Sequence, residues 1–176
     1  MNKLNRKKII IALLVIFAFI CLTQALNFFF QRIIYPREYE GLVSAYSEKY
    51  GVPEYIVYSV IKAESDFEAD AVSEKGASGL MQLMPETHAW LAEMRGEAAG
   101  DVFDPEENIK NGVYYLSLLY DRYGDWTLVF CAYNAGMGNV DKWLQAESFQ
   151  IRFTETKYYV NKLQVVTDKY LRLYYR

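Results

Sequence analysis

The sequence predicts an all-α protein, a single helical domain preceded by an N-terminal transmembrane helix. Three observations carry this prediction. Residues 9–30 are apolar apart from Thr23, Gln24 and Asn27, which is long enough to span a bilayer core. Further along, apolar residues recur at helical spacing, with prolines at segment starts and glycines at segment ends. No stretch sustains period-two alternation, and no internal repeat is visible.

The first segment is basic, with Lys3, Arg6, Lys7 and Lys8 ahead of the apolar run. Positive flanks stay in the cytoplasm, so the chain downstream is expected to be exported. This gives a cytoplasmic flank at 1–8, a single-pass cell-membrane anchor at 9–30, a linker at 31–37 and an extracytoplasmic domain at 38–176. Thr23-Gln24-Ala25 would tolerate signal cleavage, but Leu26 and Phe28-Phe29-Phe30 carry the apolar run past it, which favours an uncleaved anchor. Ile20 is too large a neighbour for Cys21 to be a lipid-attachment site.

The domain is then read in order. Residues 37–50 form a first helix, with Leu42, Val43, Ala45 and Tyr46 as its apolar positions. Gly51 stops it and Pro53 opens the next, whose face Ile56, Val57, Val60 and Ile61 runs into Ala63-Glu64. Residues 66–79 hold few large apolar side chains and read as loop. Residues 80–84 read as a short helical turn, and Pro85 starts a helix through Trp90 and Met94. His88 on this helix is expected at the surface. After a loop at 96–104, residues 105–123 form a long helix with Ile109, Val113, Leu116, Leu119 and Tyr120 inward, ended by Gly124. Asp125 caps a helix over 126–135, and Gly136 and Gly138 mark a turn. Residues 155–174 close the chain as an amphipathic helix with Val160, Leu163, Val166, Tyr170 and Leu173 on one side. Ile61, Leu116 and Val129 are the expected centre of the core.

Charge and composition narrow the function. Beyond the flank the chain holds 15 basic and 22 acidic residues, which argues against nucleic acid as a partner. One histidine cannot build a multi-histidine metal site, so no metal and no cofactor is expected. Cys21 lies in the apolar run and Cys131 in a second one, Leu128-Val129-Phe130-Cys131-Ala132, so a disulfide is not expected. The 16 tyrosines suit a sugar site, since a ring can stack on a pyranose face while the hydroxyl bonds, although most are expected half-buried on helices.

Glu64 is the candidate acid. Glycoside cleavage needs a proton for the leaving oxygen, and a carboxyl at the end of a buried helix is desolvated enough to keep one near neutral pH. Its context is distinctive. Glu64-Ser65-x-Phe67 is followed by Ala71-x-Ser73-x-x-Gly76-Ala77-x-Gly79-Leu80-Met81-Gln82-x-Met84-Pro85. Asp104-Pro105-x-x-Asn108-Ile109-x-x-Gly112-x-x-Tyr115-Leu116, Ala132-Tyr133-Asn134-Ala135-Gly136 and Glu155-Thr156-x-x-Tyr159-Val160 come after it. Over residues 38–170 this series resembles the lytic transglycosylases of the soluble-transglycosylase type, glycoside hydrolase family 23, relatives of goose-type lysozyme. Asp104-Pro105 stands where the family often has Asn-Pro, and both residues cap helices.

The resemblance implies a lysozyme-like domain and assigns roles by position. Glu64 matches the family's single catalytic acid/base. Ser73 matches a serine near the acetamido group of the reacting sugar, and Met81 and Gln82 match groove residues flanking it. Tyr133 and Asn134 match the pair opposite the acid. Glu155 matches a glutamate supporting the groove from beneath, and Tyr159 a tyrosine whose hydroxyl approaches the cleft. Gly79 belongs to the substrate-binding turn; like Gly76 and Gly136 it is expected to shape backbone rather than touch ligand. Leu80, Met84, Ile109 and Leu116 are expected in the core, and Asn108 is expected to fix the loop before its helix.

The implied reaction is non-hydrolytic cleavage of the β-1,4 bond between N-acetylmuramic acid and N-acetylglucosamine in peptidoglycan strands, with 1,6-anhydromuramic ends. A lysozyme-like hydrolase would need a second carboxyl, for which Asp66, Glu68 and Asp70 are the nearby candidates. A non-catalytic wall-binding component of an envelope-spanning complex would not need Glu64. A small anchored enzyme could also open the wall for such envelope machinery.

Overall fold

Proline and glycine set most of the helix boundaries. The computed structural model describes residues 3–176, so the first two residues of the basic flank lie outside the described part. It contains eight helices: α1 (Lys3–Ile34), α2 (Glu40–Tyr50), α3 (Glu54–Glu64), α4 (Pro85–Met94), α5 (Pro105–Tyr123), α6 (Trp126–Ala135), α7 (Met137–Leu144) and α8 (Thr154–Tyr174). Among the described residues there are no strands, only two isolated bridges that join Ser78 to Val72 and to Leu83. The chain divides into two compact units, Met1–Pro36 and Arg37–Arg176.

In the first unit, α1 extends to Ile34, four residues past the apolar run read from the sequence, and so takes in part of the expected linker. It stops ahead of Pro36, because the residue before a proline is pushed out of the helical region. Its stretch Ile10–Ile34 is long and apolar enough to cross a membrane, and its large apolar side chains are exposed.

In the second unit the first helix begins at Glu40 rather than at residue 37. Tyr39 takes a left-handed conformation (φ 56°), and Arg37 folds against the rings of Tyr58, Tyr174 and Tyr175 while hydrogen-bonding Glu40 (2.6 Å) and Glu54 (3.3 Å). Helix α3 is the most enclosed element, with Ile56 to Ile61 and Ala63 all buried. It packs against α8 and α2; α6 packs against α8, α5 and α7; α5 packs against α2 and α4. Ile61, Leu116 and Val129 are fully buried at the centre, as the periodicity predicts. On α8 the buried face is Val160, Leu163, Val166 and Tyr170, with Leu173 half-buried. Each such aliphatic side chain contributes roughly 1.5–3 kcal/mol of transfer free energy before the entropy of ordering is set against it.

Four expectations are corrected. Residues 137–144 form helix α7, with Gly138 inside its first turn and Val140 and Trp143 buried. The segment after Ser78 is a tight turn rather than a helical one, closed by Ser78 N–H to Leu83 C=O and Leu83 N–H to Ser78 C=O, both 3.0 Å. Tyr120 is exposed and stacks on Trp126, with ring centroids 4.4 Å apart. His88 is buried: Nε2 donates to the Gly100 carbonyl at 3.1 Å, and Nδ1 accepts from Asn111 Nδ2 at 2.8 Å. A carbonyl can only accept, so Nε2 carries a proton. It fixes the 96–104 loop to the α4–α5 pair, which exposure on a helix could not do.

Candidate active site

Helix α3 delivers Glu64 as its last residue. Ser65 closes the helix, its N–H bonding the Ile61 carbonyl (3.0 Å) and its hydroxyl donating to the Leu80 carbonyl (2.8 Å). The chain then reverses through two left-handed residues, Asp66 (φ 53°) and Phe67 (φ 69°). Such conformations cost on the order of 1–2 kcal/mol for a side-chain-bearing residue. Burial of the Phe67 ring beside Tyr58 and the Lys62–Asp66 ion pair hold the reversal in place. The carboxyl is thereby left at a helix end, on a wall rather than in the core.

The surroundings of Glu64 hold its proton. Burial raises its pKa from 4.5 to about 7, partly opposed by the Tyr159 hydrogen bond and the Lys162 charge. The Tyr159 hydroxyl donates to Oε1 at 2.5 Å. Lys162, one helical turn further along α8, donates from Nζ to the Ala63 carbonyl at 2.6 Å and so caps the end of α3. Burial and the nearby Glu64 charge push the hydroxyls of Tyr159 and Tyr133 well above their ordinary pKa, so both remain donors.

The facing wall is the end of α6. The Tyr133 hydroxyl donates to the Met81 carbonyl at 2.7 Å, tying this wall to the turn. Asn134 Oδ1 accepts from the Thr156 hydroxyl at 2.8 Å, which orients the amide and leaves its NH₂ as the free donor. The turn itself is held by Asn108, whose Oδ1 accepts from Met81 N–H (2.7 Å) and whose Nδ2 donates to the carbonyls of Ser78 (3.0 Å) and Val102 (2.8 Å). Gln82, with φ 47°, donates from Nε2 to the carbonyls of Ala71 and Gly79, both at 3.0 Å, which leaves Oε1 as an acceptor. Ser73 Oγ accepts from Ala77 N–H at 3.0 Å and keeps its own proton to donate.

Glu64, Ser73, Gln82, Tyr133, Asn134 and Glu155 line one cleft of about 420 Å³. That volume suits a small number of sugar rings or a drug-sized ligand. Three other expected site residues lie elsewhere. Tyr159 stands behind Glu64, bonded to its carboxyl. The Met81 side chain is fully buried and packs on Gly112, where an added Cβ would come within 2.2 Å of its sulfur, so Met81 is linked to the site only by its carbonyl, which accepts from Tyr133. Gly79 is buried with φ +76°, and a Cβ there would lie 2.3 Å from Asn108 Nδ2 and 2.6 Å from the Val102 carbonyl. Glu155 is on the rim, paired with Lys75, rather than beneath the groove. Met84, expected in the core, is part-exposed and lines the cleft.

Sequence reasoning missed Glu74, Lys75, Met84 and Lys162. Lys162 was detectable, because it stands three residues after Tyr159 and therefore on the same face of an amphipathic helix. The others sit in a turn and at a helix start, where no periodicity points anywhere. Asp66, Glu68 and Asp70, the candidates for a second carboxyl, do not line the cleft. Cys131 is buried, and burial raises its thiol pKa to about 11, which makes it inert.

Comparison with known proteins gives a consistent result. The model of the family described as "Transglycosylase SLT domain" matches residues 41–154. The soluble lytic murein transglycosylase of Escherichia coli K12 is 32% identical over 154 residues, covering 80% of this chain and 24% of that one. The membrane-bound lytic murein transglycosylase C of Serratia proteamaculans is 36% identical over 116 residues, covering 58% of this chain and 32% of that one. Among solved structures, the 70 kDa soluble lytic transglycosylase of Escherichia coli superposes with a TM-score of 0.75 at 29% identity, covering 81% of this chain and 25% of its own. A complex of a 70 kDa soluble lytic transglycosylase with bulgecin A gives 0.76 at 30% identity, covering 83% and 26%. The chain thus spans about a quarter of the length of the soluble relatives it matches.

Proposed function

This chain belongs to the transglycosylase SLT domain family, and from that premise we propose that it is a membrane-anchored peptidoglycan lytic transglycosylase. The observation that carries the reading is the state of Glu64: a desolvated carboxyl in a tyrosine- and amide-lined cleft whose other carboxyls, Glu74 and Glu155, are exposed, with its pKa raised to about 7. A group that must first give and then take a proton works best near the ambient pH.

The reaction follows from that one group. Protonated Glu64 gives its proton to the glycosidic oxygen between N-acetylmuramic acid and N-acetylglucosamine. The bond to the anomeric carbon breaks, its electron pair stays with the departing oxygen, and the acetamido carbonyl of the muramic residue stabilises the cation. Glu64, now a carboxylate, takes the proton of the C6 hydroxyl. O6 bonds to the anomeric carbon, giving a 1,6-anhydro end and Glu64 protonated again. No water is consumed. The Tyr159 hydroxyl stabilises the carboxylate form in mid-cycle, and the Lys162 charge acts in the same direction. Ser73, Gln82 and Asn134 offer a donor, an acceptor and a donor for the sugar that reacts.

The division of labour along the chain is part of the same proposal. Residues 1–8 would stay cytoplasmic, the helix from 9–30 would anchor the chain, 31–37 would link, and 38–176 would work outside the membrane on glycan strands. The relatives include enzymes named as soluble and as membrane-bound, and the apolar helix α1 supports the second arrangement here.

The test is digestion of purified peptidoglycan followed by mass spectrometry of the fragments. The wild-type chain should release 1,6-anhydromuramic ends. Glu64→Gln, which keeps the shape and the tyrosine contact, should lower turnover by at least about 10³-fold, the range removed with an essential acid/base. Comparable release by a folded Glu64→Gln protein would sink the assignment.

A further inference from the structure

The catalytic reading leaves Lys75 without a role. Among the described residues Lys75 is the only cation lining the cleft, whose other charged residues are Glu64, Glu74 and Glu155. It sits near the tip of a turn that is fixed by its own backbone. Ser73 N–H bonds Ala77 C=O (2.9 Å), Gly76 N–H bonds Ser73 C=O (2.9 Å), and Ala77 N–H bonds Ser73 Oγ (3.0 Å). The base of the Lys75 side chain is therefore held rigidly at the rim, while the side chain itself is 75% exposed.

Its present partner is exchangeable. Nζ lies 3.2 Å from both carboxylate oxygens of Glu155, which is itself 68% exposed. An ion pair so open to water contributes little and is readily replaced by another carboxylate. The pair spans the rim between the 73–77 turn and the start of α8, so a ligand entering the cleft meets it. Resting on the function proposed above, the chemistry of the substrate identifies what would replace Glu155. Ser73 occupies the position expected near the C2 acetamido group of the muramic sugar. Lys75 lies two residues along the same turn, on the cleft lining, and in muramic acid C3 carries the lactyl ether and any peptide attached to it. That substituent is the part of the strand that bears carboxylates.

We propose that Lys75 is a specificity-determining residue that exchanges Glu155 for a carboxylate on the C3 substituent of muramic acid. The cleft thereby selects an anionic sugar over a neutral N-acetylhexosamine by a contact separate from the reacting bond. The Glu155 carboxylate holds the lysine extended across the rim until the substrate arrives.

Binding rather than turnover tests this, with the full chain in detergent and Glu64→Gln present so that ligand is not consumed. The ligands are peptide-free glycan strands with a free lactyl carboxylate, the same strands with that group converted to a primary amide, and peptide-bearing strands. The parent should bind a carboxylate-bearing strand roughly three- to fivefold more tightly than the amide, the scale of one exposed ion pair. Adding Lys75→Met should abolish that preference, and Lys75→Arg should restore it. If Lys75→Met weakens only peptide-free strands, the lactyl carboxylate is the ligand; if it weakens only peptide-bearing strands, the ligand is a peptide carboxylate. Equal affinity of the parent for acid, amide and peptide-bearing strands, or a preference that survives Lys75→Met, would overturn the proposal. Failure of the wild type to form anhydro ends would instead overturn the reaction, and it leaves these affinity ratios readable.

Discussion

At the scale of single residues, the account turns on the cost of ionising Glu64. Its pKa is about 7 in the folded chain against an ordinary 4.5, so folding favours the protonated form. That stabilisation is intact below about pH 4.5 and is lost as pH rises through about 7. The difference corresponds to about 3 kcal/mol once the group is ionised. Glu64→Gln carries no such penalty. In thermal unfolding the variant should match wild type near pH 4.5 and exceed it near pH 8, by about 5–10 °C for a unit of this size. Equal melting temperatures at pH 8 would mean that the carboxyl is solvated. The desolvation was legible in the sequence, because an acid ends the apolar face of α3. The means of tuning it was not: Tyr159 and Lys162 are 95 and 98 residues away, and only the packing of α8 on α3 brings them there.

At the scale of elements, Asn108 shows how a site is held from behind. One buried amide satisfies the backbone of Met81, Ser78 and Val102. Asn108→Ala would leave the Met81 N–H and the Val102 C=O unpaired in a dry environment, at roughly 1 kcal/mol or more each, while Ser78 C=O keeps its bond from Leu83 N–H. Chemical denaturation should show a loss of about 2 kcal/mol or more, and cleavage should fall further than the folded fraction does, because Gln82 rides on the same turn. A loss under about 0.5 kcal/mol would show that water replaces the amide. The sequence predicted helices wherever a proline opened and a glycine closed an apolar pattern, as in α5. It failed where those signals have two meanings. Gly136 and Gly138 read as a turn, yet Gly136 caps α7 and Gly138 lies within it. Helical spacing of Leu80 and Met84 imitated a helix where Gly79 and Gln82 take positive φ and close a turn. Met81 and Met84 were interchanged between groove and core because a methionine suits both places and only the direction of the turn separates them.

At the scale of the whole molecule, the chain joins an apolar helix to a unit that carries every group the proposed reaction uses. The anchor reading predicts that intact-mass analysis of the membrane fraction finds the chain uncleaved; a mature form starting at Leu26 would contradict it. The central claim is that the cleft directs an internal hydroxyl, and not water, to the anomeric carbon. Orienting O6 in this way can supply several kcal/mol of the barrier. Digestion of peptidoglycan in ¹⁸O-labelled water tests this most directly. The account predicts anhydro ends that are lighter by one water and carry no label. Predominantly labelled reducing ends would contradict it, since they require a second group in the cleft that activates water.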